Sequence, residues 1–256
     1  MTRFKLFTPL LPGTHVLPRL LACIGGAICV SLTILLCMQF PFAASDLPII
    51  VAPIGASAVL VFAVPASPLA QPWSVVGGNT LSALAGVAAA RLFPDMMIAA
   101  GAAVGGAILV MSMFRCLHPP GGAAALTAVI GGPAIHEAGF AFAFAPVALN
   151  SIALVALGMA FHRATGHSYP HRPAAMPAQI DAARVAAGFH LEDIESALEE
   201  WPDCLDIDRE DLDLLLSRAE LHAMKRRARG FARFGESAKR RTCSCRFSPP
   251  CRTDHG

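Results

Sequence analysis

Charged side chains are scarce in this sequence, and their scarcity argues against an ordinary soluble domain. Asp, Glu, Lys and Arg make up 15% of the 256 residues, against about 25% in average soluble domains. Apolar residues reach 55%, and the mean hydropathy is +0.55. A net charge of +2 lacks the basic excess that nucleic-acid binding requires, so nucleic acid is excluded as a partner.

The recognisable motifs of catalysis and metal binding are also missing. The sequence contains no phosphate-binding Gly-Lys loop, no nucleophile elbow and no HExxH pair. Cys243, Cys245 and Cys251 cluster near the end, but they lack the paired CxxC spacing of a zinc site. We therefore expect no enzymatic activity, no metal and no cofactor.

The few charges are unevenly distributed along the chain. Residues 1–163 hold six basic and three acidic side chains, which leaves 14 bases and 15 acids for residues 164–256. This contrast predicts a membrane domain at 1–163 and a polar segment after it.

Four apolar runs are long enough to cross a bilayer, since about 20 helical residues cover a hydrocarbon core of roughly 30 Å. They are residues 20–40, 75–90, 96–113 and 140–161. Two further apolar stretches, 49–64 and 118–132, are interrupted by Pro and Gly. Irregular backbone is tolerated at membrane depth only where protein buries it or it lines a cavity. The pattern predicts an all-α polytopic membrane protein with two Pro/Gly-broken segments.

Basic residues at both ends of the apolar part indicate the orientation. Arg3, Lys5 and Arg19 precede the first run, and Arg163 and Arg172 follow the last. By the positive-inside rule, both termini are cytoplasmic and the number of crossings is even. Six crossings result if both broken segments span the membrane, and four if both re-enter. We expect a multi-pass protein of the cell inner membrane.

The two broken segments resemble each other. Residues 53–58 match residues 120–125 at four of six positions, and a run with one Asn follows each, carrying Asn79 or Asn150. Three crossings per half would make this an inverted repeat, as in many transporters. Chance similarity between runs of small residues is an equally good explanation.

The remainder divides into a linker at 164–180, a cytoplasmic helical segment at 181–229 and a tail at 230–256. Asp208 can cap the second helix of a predicted hairpin. The first helix has an apolar face formed by Leu191, Ile194, Leu198 and Trp201. The tail has no apolar periodicity, so we expect it to be disordered and to be the product of a truncated or frameshifted reading frame.

The run Arg-Cys-Leu-His-Pro-Pro-Gly-Gly-Ala-Ala-Ala at 115–125, with the segments 55–62, 67–73 and 77–79, resembles the HPP family of integral membrane proteins. The resemblance covers residues 15–163. It implies a compact helical module, often described with four spans, and some plant and cyanobacterial members are linked to nitrite transport. Many bacterial members carry paired CBS domains after a segment similar to 181–229, which this sequence does not continue into.

The broken segments predict where a small anion binds. A helix that begins inside the membrane has unpaired N–H groups and a positive dipole end, so two such starts facing each other would hold an anion. His118, Asn79 and Asn150 could add donors, but His118 could equally cap a boundary turn, and the amides could simply bond neighbouring helices. The candidate substrate-binding residues are Gly55, Ala56, Ser57, Asn79, His118, Pro119, Pro120, Gly121, Gly122 and Asn150.

These observations predict a membrane transporter or channel for a small inorganic anion such as nitrite, either passive or proton-coupled. The alternative is a membrane-anchored sensor or regulatory protein whose CBS-type soluble domain is missing. The expected partners are the lipid bilayer, a small anion and further copies of the chain in a homo-oligomer.

Overall fold

The computed structural model describes residues 16–39, 47–172, 177–187, 191–200 and 207–244. Regular structure in these residues is helical, which confirms the all-α class. Contacts divide the chain into two units, Met1–Arg172 and Pro173–Gly256. The first unit contains α1 (Val16–Cys37), α2 (Leu47–Ala63), a 3-10 turn (Pro68–Ala70), α3 (Pro72–Leu92), α4 (Met96–Met113), α5 (Pro120–Ile130), α6 (Pro133–Ala138), a π-helical turn (Ala143–Ala148) and α7 (Leu149–Thr165).

Four helices of the first unit are long and apolar enough to cross a membrane, so the four predicted runs are confirmed as helices. Their apolar spans are Arg19–Leu36, Pro72–Leu92, Met96–Met113 and Ala143–Thr165. The last of these combines the π-helical turn with α7.

The two stretches predicted to be broken differ from each other. α2 continues through Pro53, which stands inside the helix, whereas α5 begins at Pro120. The prediction of a helix start at Pro53 was therefore wrong. A proline removes one backbone hydrogen bond, and the bonds on either side are enough to carry α2 past it.

We call the first unit the membrane unit. α3 lies at its centre and packs against α4, α5, α7 and the π-helical turn. Small residues allow this close packing, as is usual between membrane helices. A Cβ on Gly86 would collide with the backbone of Ala125 in α5. A Cβ on Gly78 would lie 2.6 Å from Cβ of His118 and 2.7 Å from the Cys116 carbonyl oxygen.

The turn between α4 and α5 brings the chain back onto α3. Arg115 has φ of 52°, in the left-handed region that reverses the chain direction after α4. Trp73 Nε1 at the start of α3 donates a hydrogen bond to the Phe114 carbonyl at 3.1 Å. This turn places Cys116 and His118 in the interior, where both are fully buried.

The second unit contains α8 (Ala178–Ala187), α9 (Leu191–Glu199) and α10 (Arg209–Ser244). Arg184 of α8 pairs with the nearly buried Asp213 of α10 at 2.8 Å. α10 continues to Ser244, so helix extends past residue 230, where the sequence predicts the start of a disordered tail. Trp201 and residues 245–256 lie outside the described residues.

Candidate functional site

Four polar side chains meet in the interior of the membrane unit, and we call them the polar core. They are Ser57 of α2, Asn79 of α3, His118 of the α4–α5 turn and Ser151 of α7, each with 0% of its surface exposed. Three of them were predicted as site residues from the sequence. The fold therefore brings together residues that lie up to 94 positions apart in the chain.

His118 is held from both ring nitrogens. Its Nδ1 lies 2.8 Å from the Leu69 carbonyl oxygen, and its Nε2 lies 2.8 Å from Ser57 Oγ. Because a carbonyl oxygen can only accept, Nδ1 carries a proton and donates it. In the neutral ring, Nε2 is therefore the acceptor that faces Ser57.

Asn79 connects three helices. Its Nδ2 donates to Ser57 Oγ at 3.2 Å and to Ser151 Oγ at 3.1 Å. Its Oδ1 has no hydrogen-bond partner among the described residues, although the side chain is fully buried. Buried polar atoms are nearly always paired, so an unpaired amide oxygen in the membrane interior points to a hydrogen-bond donor such as a water molecule.

A small cavity lies beside Asn79 between α2, α3, α5 and the segment that leads into α7. It measures about 10 Å³, close to the minimum that holds one water molecule. Its wall is mostly apolar and is formed by Pro53, Ile54, Asn79, Ala124, Thr127, Phe142 and Val147. The site as folded therefore has room for one water-sized group.

The start of α5 does not offer the free amides that the sequence predicts. Gly121 N donates to the His118 carbonyl at 2.8 Å, and Gly122 N donates to the Pro119 carbonyl at 3.1 Å. A tight first turn thus satisfies donors that an ideal α-helix leaves open. Since Pro53 also lies within α2, the predicted pair of facing helix starts is absent from the described membrane unit, and the side chains of the polar core take its place.

The other predicted residues are less closely grouped. Pro120 and Gly121 are buried, and a Cβ on Gly121 would lie 2.6 Å from Ser82 Oγ of α3. Asn150 is buried on α7, one position before Ser151. Gly55 and Gly122 are half-buried beside open space, and Ala56 and Pro119 are exposed.

Sequence reasoning missed Ser151 and the Leu69 carbonyl. Ser151 directly follows Asn150, so its position beside a polar residue in an apolar helix was a usable signal. The carbonyl of Leu69 had none, because every residue carries the same backbone oxygen.

The motif His118-Pro119-Pro120 thus contributes the imidazole ring of His118 to the polar core, and its second proline, Pro120, begins α5. A model of the HPP family's transmembrane region matches residues 12–170. The chain belongs to the HPP family. Within this HPP unit, the histidine of the motif turns inward onto Ser57, and Pro120 occupies the first turn of α5, where its missing N–H costs nothing.

Two curated proteins of Dictyostelium discoideum are similar to this HPP protein, and both are described only as transmembrane proteins. One is 34% identical over 131 residues, covering 49% of this chain and 46% of the relative. The other is 40% identical over 104 residues, covering 39% of this chain and 33% of the relative. The chain therefore matches less than half of the length of each. The comparison with solved structures finds no match.

Proposed function

We propose that this HPP protein is a transporter or channel for a small inorganic anion such as nitrite, seated in the inner membrane with both termini in the cytoplasm. The observation that carries the proposal is the polar core, fully buried in a unit whose other interior residues are mainly apolar. Polar and ionisable groups inside membrane segments are costly, and they usually mark the path of a substrate or ion.

The chemistry of the polar core suits a weakly held anion. The imidazole and amide N–H groups are bonded within the unit, so they can replace part of the hydration shell of an ion such as nitrite when those bonds are exchanged as the helices move. The core itself carries no Lys or Arg, so the ion is bound without a permanent countercharge and can leave again. Transport requires this balance, because an ion that binds too tightly is not released.

We propose the cavity beside Asn79 as the position of the anion. Its present size of about 10 Å³ suits one water molecule, so passage of nitrite requires the helices around the cavity to separate. We expect Pro53 to favour such a movement, because it removes one backbone hydrogen bond from α2 at the cavity wall.

Purified full-length protein in liposomes tests the proposal through nitrite uptake measured against protein-free vesicles. Ser57→Ala should lower the initial rate at least tenfold, since Ser57 bonds both Asn79 and His118. Ser74→Ala is the matched control. Ser74 is also a buried serine of the membrane unit and bonds a backbone carbonyl at 2.9 Å, but it lies outside the polar core. Its rate should stay within twofold of the unmodified protein.

A membrane-anchored sensor is the second candidate, favoured by the separate helical unit at Pro173–Gly256. In that case the second unit would convey a signal, and the membrane unit would bind its ligand without moving it. Folded protein that shows no nitrite flux above protein-free vesicles would support the sensor and contradict the transporter.

A further inference from the structure

We propose that His118 takes up one proton for each anion that enters the neighbouring cavity, so that transport is an electroneutral proton–anion symport. The inference rests on the proposed transport function and adds its coupling ion and the residue that binds it. The hydrogen bonds of Ser57 and the distribution of charge around His118 support it.

Ser57 has one hydroxyl proton and two acceptors within reach. Its Oγ lies 2.9 Å from the Pro53 carbonyl oxygen and 2.8 Å from His118 Nε2. With a neutral ring, the hydroxyl donates to Nε2, and the Pro53 carbonyl keeps its helical hydrogen bond from the backbone N–H of Ser57, four residues on. The neutral state therefore leaves neither acceptor unbonded.

A proton on Nε2 reverses the direction of one hydrogen bond in this network. Nε2–H then donates to Ser57 Oγ, and the Ser57 hydroxyl donates to Pro53. The two lone pairs of Oγ accept from Nε2–H and from Asn79 Nδ2, while Nδ1–H keeps its bond to Leu69. Only one hydroxyl hydrogen has to rotate, so the same arrangement of heavy atoms accommodates both protonation states of His118.

Among the described residues, the surroundings of His118 supply no countercharge for that proton. The sequences of α2, α4, α5 and the 3-10 turn contain no titratable side chain. α3 contributes only Arg91 near its far end, and α7 contributes His162 and Arg163 in its last turn. In the adjoining turn, Arg115 is exposed and Cys116 is buried. Tyr169 donates to the Ala70 carbonyl at 2.8 Å, and burial raises the pKa of its hydroxyl, which keeps it neutral.

A protonated His118 and an anion in the cavity therefore stabilise each other. A buried charge without a partner is strongly unfavourable, and a neighbouring opposite charge offsets that cost. A bare anion in the cavity would meet Asn79, whose Oδ1 is an unpaired acceptor, and no positive side chain in the described wall. The proton comes from solution onto the Nε2 lone pair and leaves with the anion, so charge balances at every turnover.

The test measures initial nitrite uptake into liposomes at fixed pH, with membrane potential set by potassium and valinomycin. A tenfold distribution of a monovalent ion corresponds to about 59 mV. Electroneutral symport predicts that an inside-positive potential of this size changes the rate less than twofold. Lowering the external pH by one unit should raise the rate by up to tenfold after subtraction of protein-free vesicles at the same pH.

Two single-residue variants test whether His118 is the residue that binds the proton. His118→Gln should lose the acceleration by acid, because an amide side chain does not titrate in this range. His136→Gln is the matched control, since His136 also faces a backbone carbonyl, that of Val129 at 3.1 Å, but lies outside the polar core. It should keep the full response to acid.

The outcomes separate this inference from the proposed function. The nitrite uptake rate could rise severalfold with inside-positive potential and stay unchanged when the external pH is lowered. That result would overturn the symport but would still support anion transport. A His118→Gln protein with the unmodified response to acid shows that the proton binds elsewhere. Absence of any flux above protein-free vesicles overturns transport itself. If His118→Gln does not fold, the potential measurement on the unmodified protein still decides the coupling.

Discussion

Hydrogen-bond partners on two different elements hold His118 in position. The Leu69 carbonyl fixes Nδ1 and Ser57 fixes Nε2, each at 2.8 Å, so the ring has little freedom to turn. Asn79 holds Ser57 in turn and extends the network to Ser151. Because these bonds lie in a buried interior, each depends on the others, and removing one leaves buried groups unpaired.

This dependence predicts a coupling energy between Ser57 and Asn79. In a double-mutant cycle with Ser57→Ala and Asn79→Ala, we expect an interaction of about 0.5–3 kcal/mol in the free energy of unfolding. The reason is that their direct hydrogen bond is lost in either single variant. Reversible unfolding in detergent supplies the measurement.

The companion cycle uses Ser74→Ala with Asn79→Ala. Ser74 bonds the Pro68 carbonyl and has no bond to Asn79, so the two changes should add within about 0.5 kcal/mol. Equal coupling in both cycles would show that the polar core is not a distinct network.

At the scale of elements, the close approach of α3 to α5 holds the site together. Gly86 lies against the backbone of Ala125, and Gly78 lies against His118 and Cys116. Side chains larger than hydrogen at these two positions would push α5 and its preceding turn away from α3. Glycine is required here for space, since the neighbouring atoms are largely backbone that cannot move aside.

Gly86→Ala should therefore destabilise the membrane unit by about 1–3 kcal/mol or more, the usual cost of overpacking. Gly106→Ala on α4 is the control, because its Cβ would meet only Ala85 Cβ at 3.9 Å. That variant should be neutral, or more stable by about 0.5–1 kcal/mol from better helix propensity. Thermal unfolding in detergent distinguishes the two, and equal melting temperatures would contradict the close α3–α5 contact.

Replacing the first proline of each of the two similar segments, 53–58 and 120–125, should affect thermal stability differently. Pro53→Ala restores a backbone donor inside α2, so we expect higher thermal stability together with slower nitrite uptake if α2 must bend. Pro120→Ala stands in the first turn of α5, where no donor is needed, so stability should change little. Melting temperature and flux, measured on both variants, check this. A loss of stability in Pro53→Ala would show that packing of the ring outweighs the restored bond.

At the scale of the whole molecule, the number of crossings determines how the two halves are related. α2 has 17 residues and α5 has 11, which corresponds to about 25 Å and about 16 Å at 1.5 Å per residue. A hydrocarbon core of roughly 30 Å is thicker than either. If only the four long helices cross, each half crosses twice, and the halves point the same way. An inverted repeat needs three crossings per half.

Cysteine accessibility in intact cells tests this arrangement in a background with all eight native cysteines replaced. With four crossings and cytoplasmic termini, Pro94→Cys between α3 and α4 is protected from an impermeant thiol reagent. Ala66→Cys, between α2 and α3, is then labelled. Both positions are exposed in the structure, so access depends on the side of the membrane. Six crossings would reverse the two results and favour an inverted repeat.

The sequence by itself determined the four long helices, since only a continuous apolar stretch of about 20 residues satisfies both the bilayer and the backbone. It also placed Pro120 at the start of α5 and singled out Ser57, Asn79 and His118, because polar residues stand out in an apolar helix. Tertiary structure alone decided that α2 runs through Pro53 and that the amides of Gly121 and Gly122 are already bonded. Tertiary structure also decided that the Leu69 carbonyl bonds His118 and that Ser151 bonds Asn79. Such bonds depend on which elements meet in space, and local sequence does not encode that.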